Sequence, residues 1–352
     1  MKLLTFLNQH QEERLGFFWK NQIFDLEKTA KQLELTLPSS MIIFLYDFEK
    51  NLTLGQKIEK ALKEGRSFPS EAQDKLTLLA PVPHPPSCRD GYAFRQHVEA
   101  ARKNRGMPMV PEFDQFPIFY FTNHLAICGP GELTLEADHF EKLDFELEAA
   151  IVIGKKGKNI DAKEADQHIA GLTIMNDFSA RQLQTEEMKL SLGPAKGKDF
   201  ATAIGPWLVT LDELTPYLIQ GPADLQPTGL QPAGLRFNLK MKASHNEEPV
   251  SQGNLKDMTW TFAEIIERAS YGVELQPGDV IGSGTVGTGC YMELNGTWEQ
   301  KAKTEGKPFT PKWLKPGDQI ELEIEGLGKL KNKVLKSSVH RSILAKKKNV
   351  PS

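Results

Sequence analysis

Five acids and one histidine, spread over four short segments, are the residues of this chain best suited to chemistry. Asp90 and His97 lie seven positions apart in Arg89-Asp-Gly-Tyr-Ala-Phe-Arg-Gln-His97. Glu146 and Glu148 flank Leu147, Asp177 follows Met175 and Asn176, and Glu293 sits between Met292 and Leu294. If folding brings Asp90, Glu146, Glu148 and Asp177 together, their carboxylates make an oxygen site for a hard divalent cation. His97, with Glu293 as a fifth acid, then stands beside that site as a proton-transfer group.

Each of these residues also has a plainer reading. Glu146 and Glu148 are two apart, so a strand puts both on one face, with Phe145, Leu147 and Ala149 on the other. Glu321, Glu323 and Glu325 alternate with Ile320, Leu322 and Ile324 in the same way, and a solvated face explains that stripe. The first stripe differs in its continuation, because residues 150–153 are all apolar and carry the strand into a buried sheet. Acids there are costly unless a cation or hydrogen bonds compensate them. Asp177 closes the apolar stretch 171–175, where it is placed to complete a metal shell and equally to cap a turn or helix. Residues 92–105 suit a helix ended by Gly106 and Pro108. His97 shares that helix's apolar face with Phe94, Val98 and Ala101, where a histidine is more often a satisfied core residue than a catalyst. Asp90 falls at the helix start, where capping alone accounts for an aspartate. Glu293, between apolar neighbours, fits a partner for a buried histidine.

The string Gly282-Ser-Gly284-Thr-Val-Gly287 matches a dinucleotide fingerprint, which needs a strand before it and a helix after it. Val280 and Ile281 supply the strand, but residues 289–296 read as a turn and a second strand. A loop bringing Thr285 and backbone N–H groups near a ligand fits better than nicotinamide binding.

The elements that must position these groups are mostly strands. Residues 2–7 and 14–19 read as strands and 26–33 and 54–63 as helices, before the proline run Pro81–Pro86 marks a boundary. Beyond it, residues 143–153, 204–210, 235–242, 279–283 and 319–325 read as strands, and Thr261 with Glu264 forms a capping box for one helix. The loop 221–234 holds a short repeat that suggests a stiff surface excursion, and Lys346, Lys347 and Lys348 open a basic tail. The expected domains are a small N-terminal α+β accessory domain over residues 1–80, a catalytic domain over 81–345 and a tail over 346–352. The absence of regular strand–helix alternation argues against a doubly wound sheet.

The composition sets limits. The chain has 352 residues, 25% charged and 39% hydrophobic, an ordinary globular balance. A formal net charge of −3 provides no bulk field for nucleic acid or anionic membrane. Cys88, Cys128 and Cys290 are too widely spaced for a zinc cluster or a disulfide framework. With neither a leader pattern nor a membrane-length apolar run, the expected compartment is a reducing cytoplasm.

Taken in order, the motifs Arg89-Asp90…Gln96-His97, Glu146-Leu-Glu148, Met175-Asn-Asp177-Phe-Ser-Ala-Arg181, Gly197-Lys198-Asp-Phe-Ala-Thr202, Gly284-Thr285 and Met292-Glu293-Leu294 resemble the fumarylacetoacetate hydrolase family. The match runs, with gaps, from about Arg89 to about Leu330. The resemblance implies an α+β, strand-rich fold, a mixed β-sandwich roll with a small N-terminal domain, and a homodimer. It implies metal ligands at Asp90, Glu146, Glu148 and Asp177, with Lys198 and Thr202 near a Mg²⁺, Ca²⁺ or Mn²⁺ ion. It makes His97 the catalytic histidine and Glu293 the acid that orients it, and places Tyr92, Arg181, Gln184 and Thr285 toward the substrate. The implied activity is hydrolysis of a carbon–carbon bond in a β-diketo acid of the fumarylacetoacetate or acylpyruvate type. Two departures, Gly106 for an arginine and Met188 for a tyrosine, point away from fumarylacetoacetate itself and leave a shorter or less charged diketo acid open. Isomerases, decarboxylases and dehydratases of 2-oxo acids, in aromatic or sugar-acid catabolism, share the same metal cage. A nicotinamide-dependent oxidoreductase and a metal-stabilised binding protein without turnover are the readings from other classes.

Overall fold

A computed structural model describes residues 1–219, 233–339 and 341–346. All but the last two residues of the 225–234 repeat, and the tail 347–352, lie outside the described residues.

One strand explains the layering. Leu147–Ile153 is buried along its whole length, and its side chains alternate between two cores. Leu147, Ala149, Ile151 and Ile153 pack with Met241, Leu322, Ile324, Leu330 and Val334. Ala150 and Val152 pack with Leu3, Phe17, Phe44 and Ile58. The strand therefore lies in a middle layer, with a second sheet on one side and N-terminal elements on the other.

That middle layer is a mixed sheet. Among the described residues it passes from Glu71–Ala72 through Gln22–Asp25, Glu13–Trp19 and Lys2–Leu7, then Thr202–Thr210, Ile169–Asp177, Leu147–Ile153, Val280–Gly282, Cys88–Gly91 and Phe119–Thr122. The covering sheet has the order Glu248–Asn254, Lys240–His245, Gln319–Ile324, Gly328–Lys336, Gly131–Leu135. The result is the α+β, strand-rich fold expected. Residues 1–80 extend the same sheet through Lys2–Leu7, which pairs antiparallel with Thr202–Thr210, and lay the helix Phe48–Lys63 over one face. Among the described residues no helix is long and apolar enough to cross a membrane.

Several local expectations need correction. The strand expected over 143–153 is interrupted at Phe145 and Glu146. Their N–H groups bond to the side chains of Asp144 and Asn176 instead of a neighbouring strand. Residues 289–296 are not a turn and strand, because the helix Tyr291–Thr304 starts there. Its first N–H groups are capped by Asp144, which is remote in sequence and invisible to a local reading. Asp90 is not at a helix start either. It lies on the strand Cys88–Gly91, and the helix Arg95–Lys103 begins five residues after it, following Phe94. The strand expected at 235–242 begins at Lys240, and the helix expected at 54–63 begins earlier, at Phe48.

A chain lacking residues 1–80 would expose Ala150, Val152, Ala170, Ile204, Leu208 and Val280, all now buried against the N-terminal elements. We expect it to aggregate or melt without cooperativity. A soluble fragment with a sharp calorimetric transition would show that the remainder folds alone.

Candidate metal centre and its histidine

Register brings the acids to one rim of the middle sheet. Asp177 ends its strand opposite Thr202, and Asn176 pairs with Leu147, between the two glutamates. Across the next ladders Ala150 pairs with Gly282, Gly282 with Asp90, and Asp90 with Tyr120. Asp90, Glu146 and Glu148 each offer an oxygen within 4.8 Å of the others, a separation that one ion bound at about 2.4 Å can bridge. Asp177 stands just outside this triad, with one oxygen accepting from Lys198 Nζ at 2.5 Å and from the Tyr120 hydroxyl. Lys198 also donates to Glu146 Oε2 at 2.6 Å.

The residues fit a cation by their donor chemistry and by what they leave unsatisfied. All four carboxylates are buried, and Glu148 Oε2, Asp177 Oδ1 and Thr202 Oγ1 are buried without a hydrogen-bond partner. Orphaned oxygens of this kind are costly unless something positive meets them. The control stripe behaves otherwise: Glu321 and Glu323 are partly exposed and pair with Lys329 on the neighbouring strand. That stripe is the solvated face expected.

The titration behaviour follows from the crowding. Burial, with the charge of Asp177, pushes the Asp90 carboxyl up to about 7. Burial and the charge of the neighbouring Asp90 hold Glu148 well above the usual carboxylate range. Burial alone would raise Glu146 too, but Lys198 and Arg181 outweigh it and hold this acid below its ordinary value. The same pairing keeps the Lys198 ammonium charged: burial opposes it, and Asp177 with Glu146 more than compensates.

His97 lies on Arg95–Lys103, buried, with Nδ1 2.6 Å from Glu293 Oε2. Glu293 is itself fixed, because its Oε1 accepts the Thr288 N–H at 2.9 Å. The two helices meet closely at Gly296, where an added Cβ would come 2.3 Å from Asn104 Nδ2. Asn104 in turn donates to the Glu293 carbonyl. The ring is thus buried and partnered, as the core-histidine reading expects, and its partner is the acid the sequence suggested.

The remaining expected residues fall around this centre. Tyr92 is the most exposed of them and meets the His97 ring edge-on at 6.0 Å between centroids. Thr285 donates to Glu148 Oε1 at 3.3 Å. Arg181 was expected toward the substrate, but it is buried and its guanidinium is engaged by Asp144, Glu146 and Gln184. Its surroundings are those of a group that holds Glu146. Gly106 follows the His97 helix with φ +68°, and Met188 ends the helix Arg181–Met188 half exposed.

The sequence reading missed Tyr120 and Asp144. Neither stands in a local pattern, since Tyr120 arrives only through strand pairing and Asp144 only through helix capping. The glycine string has a different role from the one its pattern suggests. A helix does follow it, yet within the string the N–H groups of Ser283, Gly284 and Val286 are taken by Ala149, Asp90 and Leu147, and that of Thr288 just beyond it by Glu293. A Cβ on Gly282 would come 2.4 Å from Asp90 Oδ1, and one on Gly284, at φ +78°, 2.6 Å from the Gly91 carbonyl. Gly282 makes room for the Asp90 carboxylate and Gly284 for the Gly91 backbone, rather than for a pyrophosphate.

Comparison with known proteins agrees with this picture. A family model described as fumarylacetoacetate (FAA) hydrolase C-terminal matches residues 87–335. A fumarylacetoacetase of Oryza sativa subsp. japonica is 31% identical over 289 residues, 72% of this chain and 64% of that protein. The chain thus spans under two thirds of that relative's length. A mitochondrial oxaloacetate tautomerase of Homo sapiens is 32% identical over 303 residues, 85% of this chain and 81% of its own. The same fold is found in maleylpyruvate hydrolase from Sphingobium sp. SYK-6, solved in complex with manganese(II) ion and pyruvate. It has a TM-score of 0.64 and 22% identity, covering 96% of this chain and 100% of that one.

Because Asp90 and Glu148 are raised, the metal-free protein holds protons there that the unfolded chain releases at lower pH. Their contribution to stability falls as pH rises from the ordinary carboxylate range through about 7. A bound cation must displace those protons. Added Mn²⁺ should therefore raise the melting temperature more at pH 8 than at pH 6, and calorimetry in buffers of different ionisation enthalpy should show proton release. Gly282→Ala, which crowds Asp90, should weaken Mn²⁺ binding about tenfold or more, read by the same titration.

Proposed function

The chain belongs to the fumarylacetoacetate hydrolase family, and from that premise we propose that it is a divalent-metal-dependent hydrolase of β-diketo acids of the acylpyruvate type. The observation that carries this reading is the 2.6 Å hydrogen bond between His97 and Glu293, set beside the buried acids. With Nδ1–H donated to Glu293, the neutral ring has Nε2 as its proton acceptor. Asp90, Glu146, Glu148 and Asp177 would hold the cation, with Thr202 beside them, and that ion supplies Lewis-acid polarisation of the substrate carbonyl.

The chain's own residues account for the proton traffic. His97 takes a proton from water, and the water oxygen bonds to the carbonyl carbon. Glu293 stabilises the imidazolium that forms. As the carbon–carbon bond breaks, its electron pair passes to the departing enolate, and His97 returns the proton to it. Lys198 has three N–H donors, of which two are taken up by Glu146 and Asp177. The third is free to meet negative charge on the leaving half. Tyr92 lines the approach to His97. The manganese-and-pyruvate complex of a maleylpyruvate hydrolase with this fold supports the acylpyruvate class.

A second reading, tautomerisation of a 2-oxo acid such as oxaloacetate, is favoured by the human relative, whose match covers most of both chains. In it His97 moves a proton between carbon and oxygen and no water is added. A panel of acylpyruvates, fumarylacetoacetate and enol oxaloacetate, with Mg²⁺ or chelator, separates the two. Loss of enol absorbance with two acid products marks hydrolysis, and loss without new acids marks tautomerisation.

His97→Ala should lower kcat about a hundredfold to ten-thousandfold while calorimetry shows Mn²⁺ binding intact. A variant turning over at the normal rate would remove His97 from the chemistry.

A further inference from the structure

We propose that Asp144 is a positioning residue which, through Arg181, locks the carboxylate half of the site to the histidine half. The activity part of this proposal rests on the function proposed above.

Asp144 is fully buried, and both its oxygens are engaged. Oδ1 accepts the N–H groups of Phe145 at 2.9 Å and Tyr291 at 2.7 Å. Oδ2 accepts the Met292 N–H at 2.9 Å and Arg181 Nε at 2.8 Å. Arg181 then reaches Glu146 Oε1 through Nη2 at 2.7 Å. One carboxylate thus joins a metal-ligand candidate to the first turn of the helix that carries Glu293. The residue before that helix, Cys290, is extended and offers no capping side chain, so the cap comes from the strand side instead. The intervening residue reinforces the contact: the Phe145 ring meets Tyr291 edge-on at 5.2 Å between centroids. The Leu147 N–H bonds to the Gly289 carbonyl at 2.9 Å. Glu293 follows Met292 directly, so a shift of the helix start moves the acid that holds His97.

The plainer alternative is that Asp144 only caps a helix. Asp144→Asn keeps the shape and one acceptor oxygen but loses the charge that engages Arg181. We expect Mn²⁺ affinity to fall about 10- to 100-fold. The downfield His97 Nδ1–H proton resonance should shift or broaden, and kcat should drop roughly tenfold to a hundredfold with KM nearly unchanged. Adding Cys290→Ser places a hydroxyl at the helix's own N-cap. The double variant should regain melting temperature but neither the Mn²⁺ affinity nor the His97 resonance. Recovery of all three would reduce Asp144 to a cap and overturn the proposal, as would an unchanged resonance and affinity in Asp144→Asn.

Should that variant fail to fold, Arg181→Lys keeps the charge but loses the planar fork. It should still disturb the His97 resonance, although the structure gives Arg181 no hydrogen bond to His97 or Glu293, and an undisturbed resonance would overturn the proposal. If the wild type acts on no member of the substrate panel, the proposed function fails, while Mn²⁺ affinity and the His97 resonance still decide the role of Asp144.

Discussion

Four carboxylates buried at one rim of one sheet are the constraint on which the rest of the structure depends. Like charges this close cannot all ionise in a dry site without compensation. The fold compensates part of the charge itself, with Lys198 bridging Glu146 and Asp177, Arg181 on Glu146, and burial favouring the protonated forms of Asp90 and Glu148. What it leaves over is oxygen without a partner, on Glu148, Asp177 and Thr202. That deficit has the sign and the donor type suited to a hard dication.

Much of this was legible in the sequence, and the limits have physical causes. The acids and the histidine could be named because residue type restricts chemistry. The apolar run 150–153 placed the first stripe in a buried sheet, and the helix over His97 ended near Gly106 as its caps suggested. The control stripe at Glu321 and Glu323 shows why alternation alone is ambiguous: the pattern is identical and only burial differs. The errors fell where a distant side chain decides local structure. Tyr291–Thr304 is a helix because Asp144 caps it, and the strand breaks at Phe145 and Glu146 because Asp144 and Asn176 take their N–H groups. The glycine string could not be interpreted from its spacing, since what matters is the atom each glycine lets in.

The same arrangement suits more than one reaction. Hydrolysis and tautomerisation both begin with a polarised carbonyl and a histidine poised to move a proton. They diverge on whether water reaches the carbonyl carbon. A fumarylacetoacetase and an oxaloacetate tautomerase match this chain at 31% and 32% identity. Tyr92 is partly exposed and meets the His97 ring edge-on.

The pairing of Lys2–Leu7 with Thr202–Thr210 has a consequence for biosynthesis. Leu3 finds its partner at Leu208, so the first strand leaves the ribosome long before the strand it must join. At bacterial or eukaryotic elongation speeds the delay is roughly 10 to 40 seconds. Throughout that interval the part of this edge that Thr77–Leu78 does not cover is unpaired, a state prone to mispairing with other chains. Until residues near 210 emerge, the N-terminal strands need shielding by early packing against Phe48–Lys63 or by a chaperone.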